Sequence, residues 1–554
     1  MPSGPPRGLQ APGAEATRVG ETVLNWWRED PEANEHHDHW HAVYPTRGIA
    51  DPRPGDPGRT RLQDRQGELF FYMHQQMLAR YDHERLAVGL PRVEALARYG
   101  EPVEEGYDST EGLRGFPPEL WTEEGAPRAR PTGTRLPDDL PGWGPNGGVL
   151  RRAELATWHE RLVDAVCSGK LQGVGETEFS ADLDDLGHAT EPSRAGGRTA
   201  RPEVPDPGHY GWLHGAGHGF VGMAAGEPAG VMIDTDTAIR DPVFYRWHRH
   251  VDDLAYEWQE RQREHQLEEF AAPVRLRRAE RTRPDRPAES PDIILLRDLP
   301  PDLDDEALRR YVADLVGGEH FDEDFSASGP GTDELLTEMR WRPLDIEEVP
   351  DPPRVWIPYL DQYPFAYAVR LQSAVAGGHE VTVRLFLVAD EFFPERRMWI
   401  ELDKFHHSIV GERSVAVRHA RESAVIRKPA TKPPGSTRHS PEPPGPGEPR
   451  EWDAESYCEC GWPYNLLLPR GTGEGMRFWM AAVVTDWAKD DLHGSSCGSM
   501  SFCGAQDRYP DARSMGYPFD RRFASADVAT ALDSLPSIAT RSFTIRWTNA
   551  SFPD

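Results

Sequence analysis

The chain has 554 residues, with 62 basic and 92 acidic side chains and a formal net charge of −30. That sign argues against a sequence-independent grip on nucleic acid or on an anionic membrane, because phosphates would meet like charge. The length suits roughly two to four domains. No stretch approaches the ~18 apolar residues of a spanning helix, and the start lacks the apolar h-region of a secretory signal, so a cytoplasmic location is expected.

Residues 1–20 are Pro/Gly-rich without periodicity and read as a disordered tail. From 21 to 285 the pattern is helical. In 67–90, Leu69, Tyr72, Met73, Gln76, Met77 and Arg80 recur at three- and four-residue steps. Further helices are predicted over 154–169 and 243–270. The Gly-, Pro- and Asp-rich stretches 91–148 and 170–208 are expected to be ordered loops wrapped over a helical bundle. Past 285 the grammar changes to short β-rich runs at 292–299, 367–375, 380–390, 398–405, 413–420 and 476–487, with one inserted helix at 304–316. The Pro-rich stretch 427–451 reads as an exposed loop. The expected architecture is α+β and multidomain: a helical half over 21–285 and an all-β half over 286–554.

Several of the 21 His fall at ligand spacing inside the predicted helices. His37 and His41, in NEHHDHWHAVYP, are four apart, which places both imidazoles on one helix face. His214 and His218 in YGWLHGAGHGF repeat that spacing, and His74 and His248 stand in two other helical runs. Two pairs and two singles supply three imidazoles for each of two metals. A site without carboxylate or thiolate ligands favours copper or zinc. Alone, the HHDHWH tract is equally readable as a solvated, adventitious metal binder. His83 and His250 read as surface residues or as neighbours of the ligands. The four late cysteines, Cys458, Cys460, Cys497 and Cys503, allow two disulfides, free thiols or a zinc site; their C-x-C and C-x5-C spacings lack the paired C-x2-C knuckles of tetrathiolate zinc, which ranks disulfides first. Disulfides fit poorly with a reducing compartment.

Longer motifs carry a resemblance. WWREDPEANEHHDHWHAVYP (26–45) is similar to the first copper motif of arthropod hemocyanins and prophenoloxidases, and residues 67–90 to the helix that follows it. GVMIDTDTAIRDPVFYRWHRHVDD (230–253) resembles their second copper signature, with Thr237, Arg240, Asp241, Pro242, Phe244 and Tyr245 at the motif positions. IELDKFHH (400–407), CECGWPYNLLLPRGTGEG (458–475) and DRYPDARSMGYPFDRR (507–522) resemble the family's C-terminal immunoglobulin-like domain.

The resemblance implies two coppers per chain, one held by His37, His41 and His74 and the other by His214, His218 and His248, with His36 and His39 left as non-ligands. It further implies dioxygen as co-substrate, pairing of Cys458 with Cys497 and of Cys460 with Cys503, and an immunoglobulin-like β-sandwich that carries no catalytic residue. Two departures bear on function. Only 36 residues precede His37, where the arthropod proteins carry a helical domain whose aromatic plug covers the coppers. A site open to bulky substrate is therefore expected; cover by another chain or a neighbouring loop is the alternative. Gly215 and Ala216 replace the Asn and bulky residue that usually follow the first ligand of the second copper. Gly215 has no side chain with which to orient a water, so it is expected to favour diphenol oxidation over monophenol hydroxylation; a role only in backbone packing of the helix turn is the equal alternative. Asp234 and Asp236 could serve as a base, but N-capping of the next helix is the expected role. The reading is an oxidase that converts o-diphenols or o-aminophenols to quinones or quinone imines with O2, the alternative being a reversible dioxygen carrier. The expected partners are a small phenolic or aminophenolic substrate and a small copper-delivery or capping protein, with no nucleic acid or membrane.

Overall fold

The computed structural model describes residues 20–46, 48–50, 60–108, 128–175, 177–192, 204–277, 292–300, 304–323, 325, 331–343, 356–427, 461–492, 499–500, 508–525 and 527–549. All but the last residue of the expected N-terminal tail, all but the first residue of the 427–451 loop, and the four late cysteines lie outside these residues; Gly20 opens a short 3-10 helix, Gly20–Leu24. Among the described residues, no helix is long and apolar enough to cross a membrane.

Among the described residues, six helices of eight or more residues build the first half: α1 Pro31–Val43, α2 Gln66–Ala87, α3 Arg152–Ser168, α4 Leu183–Thr190, α5 Leu213–Met223 and α6 Pro242–Arg261. Asp30 caps α1, its carboxylate accepting from the backbone N–H groups of Glu32 and Ala33, with Pro31 in the first turn where no N–H is needed. Asp241 and Pro242 repeat that device on α6. Asp241, and not Asp234 or Asp236, is therefore the cap. The same carboxylate pairs with the buried Arg130 guanidinium at 2.6 Å, which ties the start of α6 to the preceding loop. The stretches expected to be loops contain two-stranded hairpins and the eight-residue α4.

α2 is buried almost along its whole length. Its polar stripe, Tyr72, Gln76, Arg80 and His83, faces the β half instead of water. Tyr72 donates to Glu401 at 2.5 Å, Gln76 donates to the Trp399 carbonyl and accepts from Glu401 N–H, and Arg80 donates to the carbonyls of Glu401 and Leu467. His83 is fully buried and accepts from Ala389 N–H at 2.9 Å. Burial pushes its imidazole down to about 4. His83 is thus an interface residue, correcting the surface reading. His250 is likewise buried; its Nε2 is hydrogen-bonded to the Tyr99 hydroxyl at 2.6 Å, it stacks on His159, and its imidazole is pushed down to about 3 by burial.

The second half contains strands β1 Ile293–Arg297, β2 Glu334–Pro343, β3 Trp356–Gln362, β4 Phe365–Ser373, β5 His379–Ala389, β6 Ile400–Ile409, β7 Arg413–His419, β8 Met476–Asp486 and β9 Ile538–Trp547, with helix α7 Asp305–Val316 inserted. One sheet runs β3-β2-β9-β8-β5-β6, antiparallel except for the parallel β2–β9 pair. The other runs β1-β4-β7, and the short strand Val274–Arg275 pairs with β4. The unbroken apolar run of β1 is explained by burial on both faces. Ile293 and Leu295 enter the main core, whereas Ile294 and Leu296 pack with Leu308, Val312 and Val316 of α7. Residues from Val23 to Trp547 share that main core, so the helical and β halves are packed as one apolar unit.

Candidate metal centre

The four helices α1, α2, α5 and α6 bring His37, His41, His74, His214, His218 and His248 into one cluster. Ring centroids lie 4.8 Å apart for His37–His41, 5.5 Å for His37–His74, 4.7 Å for His214–His218 and 5.0 Å for His214–His248. The two trios are themselves in contact, since His74 stacks on His248 at 4.3 Å. Candidate donor atoms of His37, His74 and His248 fall within 4.8 Å of one another, as do those of His214, His218 and His248. His248 therefore stands between the two expected sets. His41 reaches the cluster through its ring contacts with His37, His74 and His214.

Backbone and side-chain acceptors orient the rings. The Nδ1–H of His37 donates to the Thr235 carbonyl (2.7 Å), that of His74 to Phe70 (2.7 Å), that of His218 to Met232 (2.9 Å) and that of His248 to Phe244 (2.8 Å). His214 differs, because its Nδ1–H donates to the Glu191 carboxylate at 2.7 Å. Each acceptor fixes the tautomer and leaves Nε2 as a bare lone pair. The Nε2 atoms of His37, His41, His74 and His218 are buried without a hydrogen-bond partner. Those of His214 and His248 face each other at 3.0 Å with both Nδ1 protons already committed. Converging lone pairs with no proton between them call for electrophiles, and all-imidazole donation is the chemistry of copper or zinc. The residues fit a dinuclear metal group.

Electrostatics agree with that fit. Burial, followed by the neighbouring imidazoles, holds His41 and His248 well below the ordinary histidine range, and His37 is pushed down to about 3, mainly by burial. Neutral imidazoles are the ligand form. His36 points away from the cluster. It is bonded to the Gly461 carbonyl and packs edge-on against Trp462 in the β half.

Glu191 was not foreseen from sequence. It follows α4, which crosses α2 where a Cβ at Gly187 would overlap the Gly67 backbone. The Asp182-x-x-Asp185 capping box is the local signal that could have revealed this helix. Phe244 also lines the cluster, its ring 3.8 Å from His248 and 5.0 Å from His37. Thr235, whose carbonyl holds His37, is itself fixed by donating to Asp38, which gives the aspartate of the HHDHWH tract a role. Gly217 allows α5 to lie directly on the Trp247 ring of α6, and Trp247 Nε1 donates to the His214 carbonyl at 3.1 Å. Gly215 does not open on free space: a Cβ there would lie 3.0 Å from the Trp212 ring.

The arrangement defines a dinuclear histidine centre in a four-helix setting, carried on an immunoglobulin-like β half. The family profile described as "Hemocyanin, copper containing domain" matches residues 11–255, and that described as "Hemocyanin, ig-like domain" matches 347–546. The chain is 31% identical over 538 residues to hemocyanin AA6 chain of the scorpion Androctonus australis, covering 92% of this chain and 73% of the relative. It is likewise 31% identical over 571 residues to phenoloxidase subunit 1 of Manduca sexta, covering 97% and 72%. Among solved structures, an activated-state scorpion hemocyanin superposes with a TM-score of 0.70 at 27% identity, over 96% of this chain and 76% of that one. A crustacean hemolymph-type prophenoloxidase superposes at 0.68 and 23% identity, over 96% and 71%. The chain belongs to the hemocyanin–phenoloxidase family of type-3 copper proteins. Its cofactor is a pair of copper ions, and the histidine groups described above fit that pair.

Proposed function

We propose that the protein is a phenoloxidase-like dicopper enzyme that oxidises o-diphenols or o-aminophenols to quinones or quinone imines at the expense of O2. When bound, the copper pair supplies Lewis acidity that lowers the phenol's pKa and a two-electron redox change. The chain's own part is to hold His37, His41, His74, His218 and His248 neutral by burial, to orient His37, His74, His214, His218 and His248 through their Nδ1–H bonds, and to shield the metal-facing nitrogens. The observation that carries the reading is the edge of the cluster at His41 and His218. These two rings are half-buried while the other four are buried, and the adjacent turn of α5 carries only Gly215 and Ala216 after His214. An aromatic ring approaching from that side meets no side chain at 215, where the Trp212 indole packs instead, and Ala216 is buried.

The second reading is a reversible dioxygen carrier. It draws support from the burial of the unpartnered Nε2 atoms and from the hemocyanin relatives. Adding catechol to copper-loaded protein in air separates the two readings. Quinone absorbance with matching O2 consumption is expected; reversible oxygenation without quinone would establish the carrier instead.

A further inference from the structure

One flank of α5 carries no side chains. Gly215 and Gly219 are one turn apart, next to the ligand face formed by His214 and His218. Two indoles fill that flank. A Cβ at Gly215 would meet Trp212 at 3.0 Å, and a Cβ at Gly219 would meet the Trp143 ring at 2.5 Å. The indoles are nearly parallel, 13° apart with centroids separated by 6.0 Å. At a contact gap of ~3.5 Å, that separation implies a lateral offset of about 5 Å, so the pair forms a staggered, continuous aromatic surface. Both are half-buried, and the glycines they cover, Gly215 and Gly219, each directly follow one of the clustered histidines, His214 and His218, on α5. Trp143 sits in the exposed turn of the hairpin Asp139–Pro141/Val149–Arg151, where Gly142, Asn146 and Gly147 adopt positive φ. Trp212 immediately precedes α5 and makes no side-chain capping bond to it.

We propose that the stacked pair Trp143–Trp212 is the substrate-facing wall of the metal centre, on which a flat, neutral aromatic ring stacks as it enters. This rests on the phenoloxidase reading above and narrows it. The wall is apolar and planar, so it selects single-ring phenols, catechols and o-aminophenols over non-aromatic ligands of the metals.

The test uses two probes on the copper-loaded full chain: tropolone, a planar catechol mimic, and azide, a small anion that needs no aromatic wall. Trp143→Leu and Trp212→Leu keep apolar volume and remove the flat face, while Trp143→Phe restores a ring. Copper content and circular dichroism are measured on each variant. Both Leu variants are expected to lower the tropolone-to-azide affinity ratio about two- to tenfold, the loss of ring stacking beyond area burial, and Trp143→Phe to recover most of it. An unchanged ratio, tropolone and azide affinities rising together (the mark of a mere plug), or no tropolone binding by wild type would each overturn the wall. A Leu variant that loses copper is replaced by its Met counterpart and judged by the same ratio. A Trp-dependent ratio in a protein that makes no quinone from catechol would leave the wall standing and remove the oxidase reading.

Discussion

Replacing Glu191 tests whether one histidine of the cluster, His214, is tuned as a metal ligand separately from the rest. Among the oriented ligands, His37, His74, His218 and His248 donate Nδ1–H to neutral carbonyls, whereas His214 donates to a carboxylate at 2.7 Å. A charge-assisted bond of that length makes the ligand nitrogen more basic and holds the ring in place. Loss of such a partner typically costs ~10–100-fold in metal affinity, or about 1.4–2.8 kcal/mol. Glu191→Gln keeps an oxygen acceptor and removes the charge, so it should fall near the lower figure. Glu191→Ala leaves the Nδ1–H without its acceptor and should fall near the upper one. Chelator titration with metal analysis at each step is the assay. One copper should leave at about 10-fold lower chelator concentration in the Gln variant and about 100-fold lower in the Ala variant, with the second copper released as in wild type. Gly187→Ala provides an independent route, because its Cβ would meet rigid backbone at Gly67 and tilt α4 with Glu191 still present. It should show the same selective loss. Two coppers held at wild-type affinity in Glu191→Ala would refute the reasoning.

Four further outcomes are expected. His41→Ala and His218→Ala should each lose copper and oxidase activity while the far-ultraviolet β signal persists; one tightly bound zinc and no oxygenated absorption band in the wild type would contradict the copper assignment. Gly217→Ala gains helix propensity of up to ~1 kcal/mol but drives a Cβ into the Trp247 ring, so a net loss of about 1–2 kcal/mol in urea unfolding is expected. Wild-type protein should oxidise catechol faster than it hydroxylates monophenols, and Gly215→Asn should shift that balance towards hydroxylation; equal loss of both rates would show that contact with Trp212 dominates at this position. His83 links stability to pH. Its folded-state pKa, about 4, lies below the unfolded value near 6.5, so the unfolded chain takes up the proton first. Stability contributed by neutral His83 is complete above pH ~6.5 and is lost as pH falls towards 4, at up to ~1.4 kcal/mol per unit. Thermal melts between pH 7.5 and 5 should therefore flatten in His83→Gln, and parallel curves would exclude His83 as a source of acid sensitivity.

The helices that carry the six clustered histidines were legible because their signals are local. Paired His at four-residue spacing and the three- and four-residue recurrence in 67–90 both act within a few turns of one chain segment. The long motifs placed the family for the same reason: they keep ligand and neighbour at set distances along the chain. The strands β2, β3 and β9 were not read from sequence, since their pairing depends on partners up to about two hundred residues away. The polar stripe Tyr72, Gln76, Arg80 and His83 has the pattern of a solvated helix face, yet it is buried because backbone carbonyls, a backbone N–H and Glu401 of the β half satisfy it. Glu191 reaches His214 only because two glycines far apart in sequence let α4 lie against α2. In the same way, Gly215 reads in sequence as added room, and the fold fills that room with Trp212 and, beside it, Trp143. Residue identity and spacing determined which side chains could bind metal; long-range packing, which no local pattern encodes, decided what orients them and what covers them.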